Sequence, residues 1–263
     1  MAVTHSRGFV VRKSVLAIGF VVGTVGLSSF GVANADGGTR PSNAPLITLG
    51  QTYFGNVAND DPMNRNGDVW RLPPLLEQDA VTVSGVRTDT QGIQDLVYVC
   101  LNGNVDDFDF QDEFCGLAVG GPSYIDRSGS RVTLQANAAA SDAFLEFSDS
   151  FALATYQFTV ETIQHKVGLS LTALTSVKRK GRVAGSAVLT NSAPVPDGTT
   201  ISLIVTKGSA RWVYTAPAAG GRLSFKMALP KSLTGKKVKL RLYRSATTTI
   251  QAGSSSAIKA RIR

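Results

Sequence analysis

Histidine and cysteine are scarce in this sequence, with two of each among 263 residues. Beyond residue 35 only Cys100, Cys115 and His165 could supply nitrogen or sulfur ligands, and a structural zinc site needs four. We therefore expect no zinc centre. The same scarcity limits nucleophilic catalysis, because a serine-type triad requires a histidine beside the hydroxyl group.

The common catalytic signatures are also missing. No serine stands in a GxSxG motif, and neither GxxxxGK[ST] nor a GxGxxG that follows a strand occurs. Paired carboxylates of the kind that hydrolyse glycosides stay open as an alternative, because acidic residues are abundant in one part of the chain. We predict that the protein is not an enzyme, with a carboxylate-based hydrolase or a hydrolase accessory protein as the alternative.

A single long apolar run occurs, and it lies at the N-terminus. The run SVLAIGFVVGTVGLSSFGV follows Arg7, Arg12 and Lys13 and precedes Ala33-Asn34-Ala35, which has the small-x-small form of a signal-peptidase site. We predict that residues 1–35 are a cleaved signal peptide; a retained membrane anchor is the alternative. No later run reaches about 18 residues, so no transmembrane segment is expected after cleavage.

Export has a consequence for the two cysteines. Outside the cytosol, Cys100 and Cys115 are expected to form a disulfide. Closing a loop of about 15 residues should stabilise the fold by about 3 kcal/mol in the chain-entropy model.

Acidic and basic residues occupy different halves of the chain. Residues 36–165, called the acidic half below, hold 18 of the 19 Asp and Glu residues and six arginines, a formal charge of −12. Residues 166–263, the basic half, hold 18 Lys and Arg residues against Asp197 alone, a formal charge of +17. We predict that the halves are two separate domains.

Both halves have the pattern of an all-β protein, namely short β-branched and aromatic runs between Gly, Pro, Asn and Asp clusters. The runs of the acidic half predict eight strands in a jelly-roll-like sandwich: LITLGQTYF, DVWRL, AVTVSGV, LVYVCL, FCGLAV, RVTLQA, AFLEF and ATYQFTVETI. The runs of the basic half predict seven strands in an Ig-like sandwich: VGLSLTAL, GRVAGSAVL, TTISLIVT, ARWVYT, GRLSFKMAL, KKVKLRLYR and SAIKARIR.

Several of these runs resemble known families. Residues 46–162 resemble the bacterial pre-peptidase C-terminal domain, a non-catalytic β-sandwich of secreted hydrolases, through an Asp before an aromatic strand, an Asp-Leu-x-Tyr-like strand and a closing Tyr-x-Phe-x-Val strand. The residues concerned are Asp68, Trp70, Asp95, Leu96, Tyr98, Tyr156, Phe158 and Val160. APVPDGTTISLIV and GGRLSF are similar to bacterial Ig-like modules of surface proteins. Both resemblances imply binding or presentation rather than catalysis, although no peptidase domain precedes the first module in this sequence.

The acidic stretch CLNGNVDDFDFQDEFC, residues 100–115, is a candidate metal site. As a strand it would point Phe108 and Phe110 to one face, and Asp107 and Asp109 to the other. A short helix capped by Asn104 is the alternative. Neither form requires a metal.

A calcium site would need six to eight converging oxygen ligands, which this stretch alone does not supply. The loop NDDPMNRNGD, residues 59–68, is rich in such oxygens, and some members of the resembled family bind calcium. We therefore hypothesise a Ca²⁺ site formed by the two segments, with a polar hairpin loop without metal as the alternative. The candidate ligands are Asp60, Asp61, Asp68, Asp107 and Asp109.

Cations alternate with apolar residues in three runs of the basic half. Alternation on a strand places them together on the solvent face, and pairing of the last two strands would bring six of them to one surface. The candidate anion-binding residues are Arg222 and Lys226, then Lys237, Lys239 and Arg241, then Lys259, Arg261 and Arg263.

Such a surface suits polyanions. We expect anionic envelope polymers or polysaccharide as partners, and another surface protein as a further class. Aromatic platforms for nucleic acid are sparse, with Tyr243, Trp212 and Tyr214 as the available residues, so we do not expect nucleic acid as the partner. The alternatives are cations that only solubilise the sheet, or a basic half that docks on the acidic half. The sequence thus predicts a secreted binding or adhesion protein of the bacterial envelope or extracellular space.

Overall fold

The computed structural model describes residues 44–57, 68–89, 96–103, 115–148 and 154–263. The predicted signal peptide lies outside these ranges. So do Asp60, Asp61, Asp107 and Asp109 of the calcium hypothesis. Within the described ranges the regular structure is all-β apart from one 3₁₀ turn, Lys231–Leu233, which confirms the predicted fold class.

The acidic half forms two four-stranded antiparallel sheets. Their strand orders are β1-β8-β3-β6 and β2-β7-β4-β5, so the chain changes sheet at each connection except the one between β4 and β5. This is the connectivity of a jelly roll. The strands are β1 (Thr52–Val57), β2 (Asp68–Arg71), β3 (Ala80–Arg87), β4 (Val97–Gly103), β5 (Ser123–Ile125), β6 (Ser130–Gln135), β7 (Ala143–Ser148) and β8 (Ala154–Gln164).

Aromatic side chains from both sheets fill the space between them. Phe147 of β7 packs against Tyr156 and Phe158 of β8, with ring centroids 4.5 Å apart in each pair. Trp70 of β2 meets Phe158 edge-on at 5.2 Å. The alternation in ATYQFTVETI puts its apolar residues into this core, since successive side chains of a strand face opposite sides of the sheet.

One predicted strand of the acidic half is wrong. FCGLAV was expected to be extended, but residues 115–117 form a turn and Ala118 makes only an isolated bridge to Ala136. Cys115 has φ 76°, a left-handed conformation that interrupts an extended chain. β4 pairs with β7 on one side and with β5 on the other, and β5 is a three-residue element that begins after Gly120 and Gly121.

The basic half forms a second sandwich. One sheet has the order β10-β17-β15-β12-β13, with β16 also paired to β15, and the other has the order β14-β11-β9. All seven predicted strands occur. The strands are β9 (Val167–Leu171), β10 (Ser176–Val177), β11 (Lys180–Leu189), β12 (Thr200–Lys207), β13 (Ala210–Pro217), β14 (Arg222–Ala228), β15 (Lys237–Arg244), β16 (Gly253–Ser254) and β17 (Ile258–Ile262).

This strand order is Ig-like, with the fourth long strand in the larger sheet. β13 pairs with β12, whereas in the constant-type arrangement the fourth strand joins the sheet of the first, second and fifth strands. The first strand is split, because β9 pairs with β11 while β10 runs parallel to the last strand, β17. Phe225, Leu240 and Ile201 are among the fully buried side chains between the sheets.

The halves are joined by a connection of two residues. His165 and Lys166 separate β8 from β9, and one buried apolar cluster ends at Ile163 while the other begins at Val167. Both clusters belong to one compact unit, Ala35–Arg263. Independent folding of the predicted domains 36–165 and 166–263 stays a prediction. Among the described residues, no helix is long and apolar enough to cross a membrane.

Candidate anion-binding face

The disulfide predicted from the sequence is present. Cys100 of β4 and Cys115 are bonded, with Cα atoms 4.9 Å apart, and both side chains are buried. Beside it, the Asn102 side chain donates to the buried Glu146 and accepts a hydrogen bond of 2.8 Å from the Gly116 amide. The disulfide and Asn102 together fix the chain as it returns to the sandwich at residue 115.

Asp68 is the one predicted calcium ligand that the structure describes, and it has a structural role. Its Oδ2 accepts hydrogen bonds from the Tyr156 hydroxyl at 2.7 Å and the Asn56 amide at 3.2 Å. Burial raises the pKa of Asp68, and these hydrogen bonds partly oppose that rise. Within the described ranges, no group of three or more His, Cys, Asp or Glu residues is placed to hold a metal.

The Asp68 brace, defined here as Asp68, Trp70 and Tyr156, links the two sheets of the acidic half. Trp70 Nε1 donates to the Tyr156 hydroxyl at 3.3 Å, and that hydroxyl donates to Asp68. A side chain at Gly55 would overlap both the Tyr156 ring and the Asp68 carboxylate, so this position requires glycine. These three residues were singled out by the family resemblance, and the structure shows that they bridge β2 and β8.

The eight predicted anion-binding cations are all exposed. β15 and β17 are adjacent and antiparallel, with Lys237 opposite Arg261 and Lys239 opposite Lys259. The six cations of these strands therefore lie on the outer face of one sheet, as the sequence predicted. We call this set the cation track: Lys237, Lys239, Arg241, Lys259, Arg261 and Arg263.

The remaining two predicted cations lie elsewhere. Arg222 and Lys226 are on β14, in the other sheet of the sandwich, where Lys226 stands opposite Arg182 of β11. The structure therefore divides the eight residues between opposite faces of the sandwich. Arg182 was missed by the sequence analysis, although the alternation in KGRVAG around it carried the same signal.

A further cation extends the row that contains Lys239. Arg211 of β13 is opposite Thr206 of β12, Thr206 is opposite Lys239, and Lys239 is opposite Lys259. All four residues are exposed or half-exposed. Arg211 was overlooked because ARWVYT was assigned to stacking aromatics. Trp212 and Tyr214, however, pack against the buried cluster instead of lying on this face.

Ion pairing differs between the halves. Arg131 pairs with Glu161 at 2.8 Å, and the buried Arg87 pairs with Asp89 at 2.9 Å, while Arg127 reaches the same carboxylate at 3.4 Å. No member of the cation track forms an ion pair with a carboxylate of the described residues. The charge of the track therefore faces solvent without a counter-charge from that part of the protein.

A group of hydrogen bonds joins the halves at residue 165. His165 Nδ1 lies 2.9 Å from Oδ2 of the fully buried Asp79, whose pKa is raised mainly by burial. The Gln251 side chain donates to the Gln78 carbonyl at 2.7 Å and the Gln164 carbonyl at 3.0 Å. We call this group the clasp. It explains His165 as a structural residue of the junction, as its position in the sequence suggested.

Comparisons with known proteins add little to this description. No family model matches the chain, and no curated protein is significantly similar to it. A solved structure of the glycoside hydrolase domain of Endo-D from Streptococcus pneumoniae R6 aligns with 79% of this chain at 12% identity and a TM-score of 0.25. The match spans 32% of that structure's chain, and so low a TM-score carries no argument about fold or activity. The resemblances to pre-peptidase C-terminal and Ig-like domains stay predictions.

Proposed function

We propose that this chain is a secreted, non-catalytic binding protein of the bacterial envelope or extracellular space, and that its basic half holds anionic polymers. The observation that carries the proposal is the cation track. Its six exposed cations share one sheet face and have no ion pair with a described carboxylate. A field of one sign over a surface attracts polyanions from solution.

The disulfide and the local partners of the carboxylates in the acidic half support the same proposal. Disulfides persist in oxidising compartments, so the bonded Cys100 and Cys115 agree with export. The described carboxylates of the acidic half have local partners: Asp68 holds the brace, Asp79 lies in the clasp and Asp89 pairs with two arginines. No specific observation therefore favours the alternative of a carboxylate-based hydrolase.

Retention on an anionic matrix tests the proposal. The full chain is loaded on immobilised envelope polymer and on an uncharged polysaccharide of the same bead type, and it is eluted with increasing salt. We expect retention on the anionic matrix alone and release as salt rises, because counterions compete for the cations. Passage through the anionic matrix at low salt would overturn the proposal.

Calcium stays a separate proposal, because four of its five candidate ligands lie outside the described residues. Its test is the melting temperature of the full chain in calcium and in EDTA. A calcium ion that binds the native state should raise this temperature in proportion to the logarithm of its concentration. An equal melting temperature in both solutions would overturn the calcium hypothesis.

A further inference from the structure

Two pairs of like charges stand directly opposite each other at the centre of the cation track. Lys237 faces Arg261 and Lys239 faces Lys259, on neighbouring antiparallel strands with all four side chains exposed. We call these four residues the central quartet. Directly opposite residues have Cβ atoms about 5 Å apart, and like charges at this distance destabilise a sheet.

An acidic residue opposite each cation would relieve this repulsion, since opposite charges across strands stabilise a sheet. The basic half contains one acidic residue, Asp197, and its side chain accepts a hydrogen bond from the Gly220 amide at 2.7 Å in a turn. The central quartet has no ion pair with a carboxylate of the described residues. An anion from outside the protein would supply the missing charge, and one anionic group placed between each pair would serve both cations.

The cation track has a definite direction and length. Successive outward residues on a strand are about 6.7 Å apart, and neighbouring strands about 4.8 Å apart. Passing along the boundary of β15 and β17, the track offers Arg263, then the pair Lys237 and Arg261, then the pair Lys239 and Lys259, and finally Arg241. The track therefore has four positions along the strand direction, with two cations at each of the two central positions and one at each end.

This pattern selects a ligand with single charges at regular intervals. A phosphodiester carries one negative charge shared by two free oxygens, so it can accept a hydrogen bond from each of two facing cations. In an extended polyol phosphate, a short polyol separates successive phosphates by a distance similar to the step of the track. Inorganic polyphosphate has its charges much closer together, and it would not match one charge to each step.

Nucleic acid also has phosphodiesters, but its bases need surfaces on which to stack. Tyr243, two residues beyond Arg241 on the same strand, is the described aromatic residue on this face. The neighbouring outward positions of β12 are Ser202, Ile204 and Thr206. A polymer without bases fits this surface better than a single-stranded nucleic acid.

We infer that the cation track is a binding site for an extended polyol phosphate that lies parallel to β15 and β17, with one phosphodiester bridging each pair of the central quartet. This inference rests on the proposed function and gives it a ligand class. It assigns four phosphates to the site. Arg211, across Thr206 from the quartet, lies beside this path and widens the positive surface.

Binding of poly(glycerol phosphate) oligomers to the full chain tests the inference by calorimetry. Affinity should rise with each added repeat up to about four phosphates, since the steps are about 6.7 Å apart and the track offers four of them. Longer oligomers should add only a small statistical gain. An affinity that keeps rising steeply well beyond four phosphates would contradict a track of this length.

A pair of matched variants tests the location. Lys239→Gln with Lys259→Gln removes one bridging pair, and we expect affinity to fall roughly ten-fold and the salt dependence to become shallower by about 0.7 per lost contact. Arg182→Gln with Lys226→Gln removes an equal charge from a facing pair on the opposite sheet, and affinity should change less than about two-fold. Lys239→Arg with Lys259→Arg should retain binding.

The outcomes separate the inference from the proposed function. Equal weakening by the two glutamine double variants would show that net charge alone binds, which overturns the inference and leaves the proposed function standing. Tighter binding of oligo(dT) than of glycerol phosphate oligomers with the same number of phosphates would assign the track to nucleic acid and overturn the polyol phosphate. Failure of the unaltered chain to bind any anionic polymer would overturn both.

Discussion

The two halves of this chain use charge in opposite ways. In the acidic half the described charges have partners within the protein: Arg87 and Asp79 are buried, and the half-buried Asp68 accepts two hydrogen bonds. In the basic half most cations are exposed, with the buried Arg244 as an exception, and no described carboxylate forms an ion pair with them. Charge therefore contributes to the structure of the first half, whereas in the second half it is available to a ligand.

The tryptophans make this comparison measurable. Trp70 belongs to the acidic half and Trp212 to the basic half, and the chain contains no others. Each packs against the buried cluster of its own half. Single-tryptophan chains carrying Trp70→Phe or Trp212→Phe therefore report the unfolding of one half at a time.

The largest difference should come from the disulfide, which only the acidic half has. Replacing both cysteines, Cys100→Ala with Cys115→Ala, should lower the free energy of unfolding reported by Trp70 by about 3 kcal/mol. The transition reported by Trp212 should move little if the halves unfold separately. Denaturant titrations of the two single-tryptophan chains measure this, and an equal shift of both transitions would show that the halves unfold as one unit.

The next largest effect should come from the Asp68 brace. Tyr156→Phe removes a donor from a half-buried carboxylate, and we expect a loss of about 2 kcal/mol in the free energy of unfolding, within the range for hydrogen bonds to charged groups. The matched control is Tyr214→Phe in the basic half, where an exposed hydroxyl donates to the Ala228 carbonyl at 2.9 Å. A cost of under 1 kcal/mol is expected there. Equal losses of stability for Tyr156→Phe and Tyr214→Phe would contradict a larger contribution of the hydrogen bond to the Asp68 carboxylate.

The pH dependence should also separate the halves. Because burial raises the pKa of Asp68 above its usual 3.8, the native state binds a proton more readily than the unfolded chain. The stability due to protonated Asp68 is complete below that value and is lost as pH rises through the folded pKa. Asp68→Asn should therefore match the parent below about pH 3.8 and become relatively more stable above it, by at most about 1.4 kcal/mol per pH unit. Denaturant titrations at several pH values measure this difference in the free energy of unfolding. If it did not change with pH, protonation of Asp68 would not be its cause.

The clasp should have a smaller effect on stability and a clearer one on cooperativity. Gln251→Ala removes two hydrogen bonds between the halves, so we expect a loss of about 1 kcal/mol and a wider separation of the two tryptophan transitions. Asn191→Ala is the control, because that side chain accepts a hydrogen bond from the Ala193 amide within one turn. Thermal unfolding followed at both tryptophans measures the separation, which the control should leave unchanged.

The smallest effect is expected from the central quartet, and its sign is informative. Lys239→Glu places an acidic residue opposite Lys259 and should stabilise the unliganded basic half by about 0.5 kcal/mol, as for other opposite-charge pairs across strands. The same change at Lys226, opposite Arg182, is the control on the other sheet and should give a similar gain. Only Lys239→Glu should also weaken polymer binding. Destabilisation by Lys239→Glu would show that repulsion between the facing cations does not destabilise the basic half.

Short β-branched and aromatic runs between turn residues predicted the seven long strands of the basic half. Alternation within these runs predicted the outward cations of β15 and β17, because one face of each strand is buried and the other is exposed. The run pattern failed at FCGLAV, where Leu117 and Ala118 are buried although they lie in a turn and a bridge rather than a strand. The disulfide at Cys115 and the hydrogen bond from the Gly116 amide to Asn102 fix the chain there. The sequence predicted the disulfide, but no short pattern indicated the Asn102 contact.

Local sequence patterns could not predict contacts between residues that are far apart in the chain. Asp68 looked like a surface ligand because the residues before it are polar, but its carboxylate meets Tyr156, 88 positions later. The division of the predicted cations between two sheets depended on which strands pair. The clasp likewise brings Gln251 to Gln78 across 173 positions, a contact that no local pattern could indicate.

The short connection at His165 and Lys166 limits how far the halves can move apart. Two extended residues span about 7 Å, so the connection has almost no slack. If a polymer holds the basic half, any pull on the acidic half reaches it through this connection and the hydrogen bonds beside it. The acidic half would then stay close to the bound basic half, because a connection of two residues leaves it little room to move away.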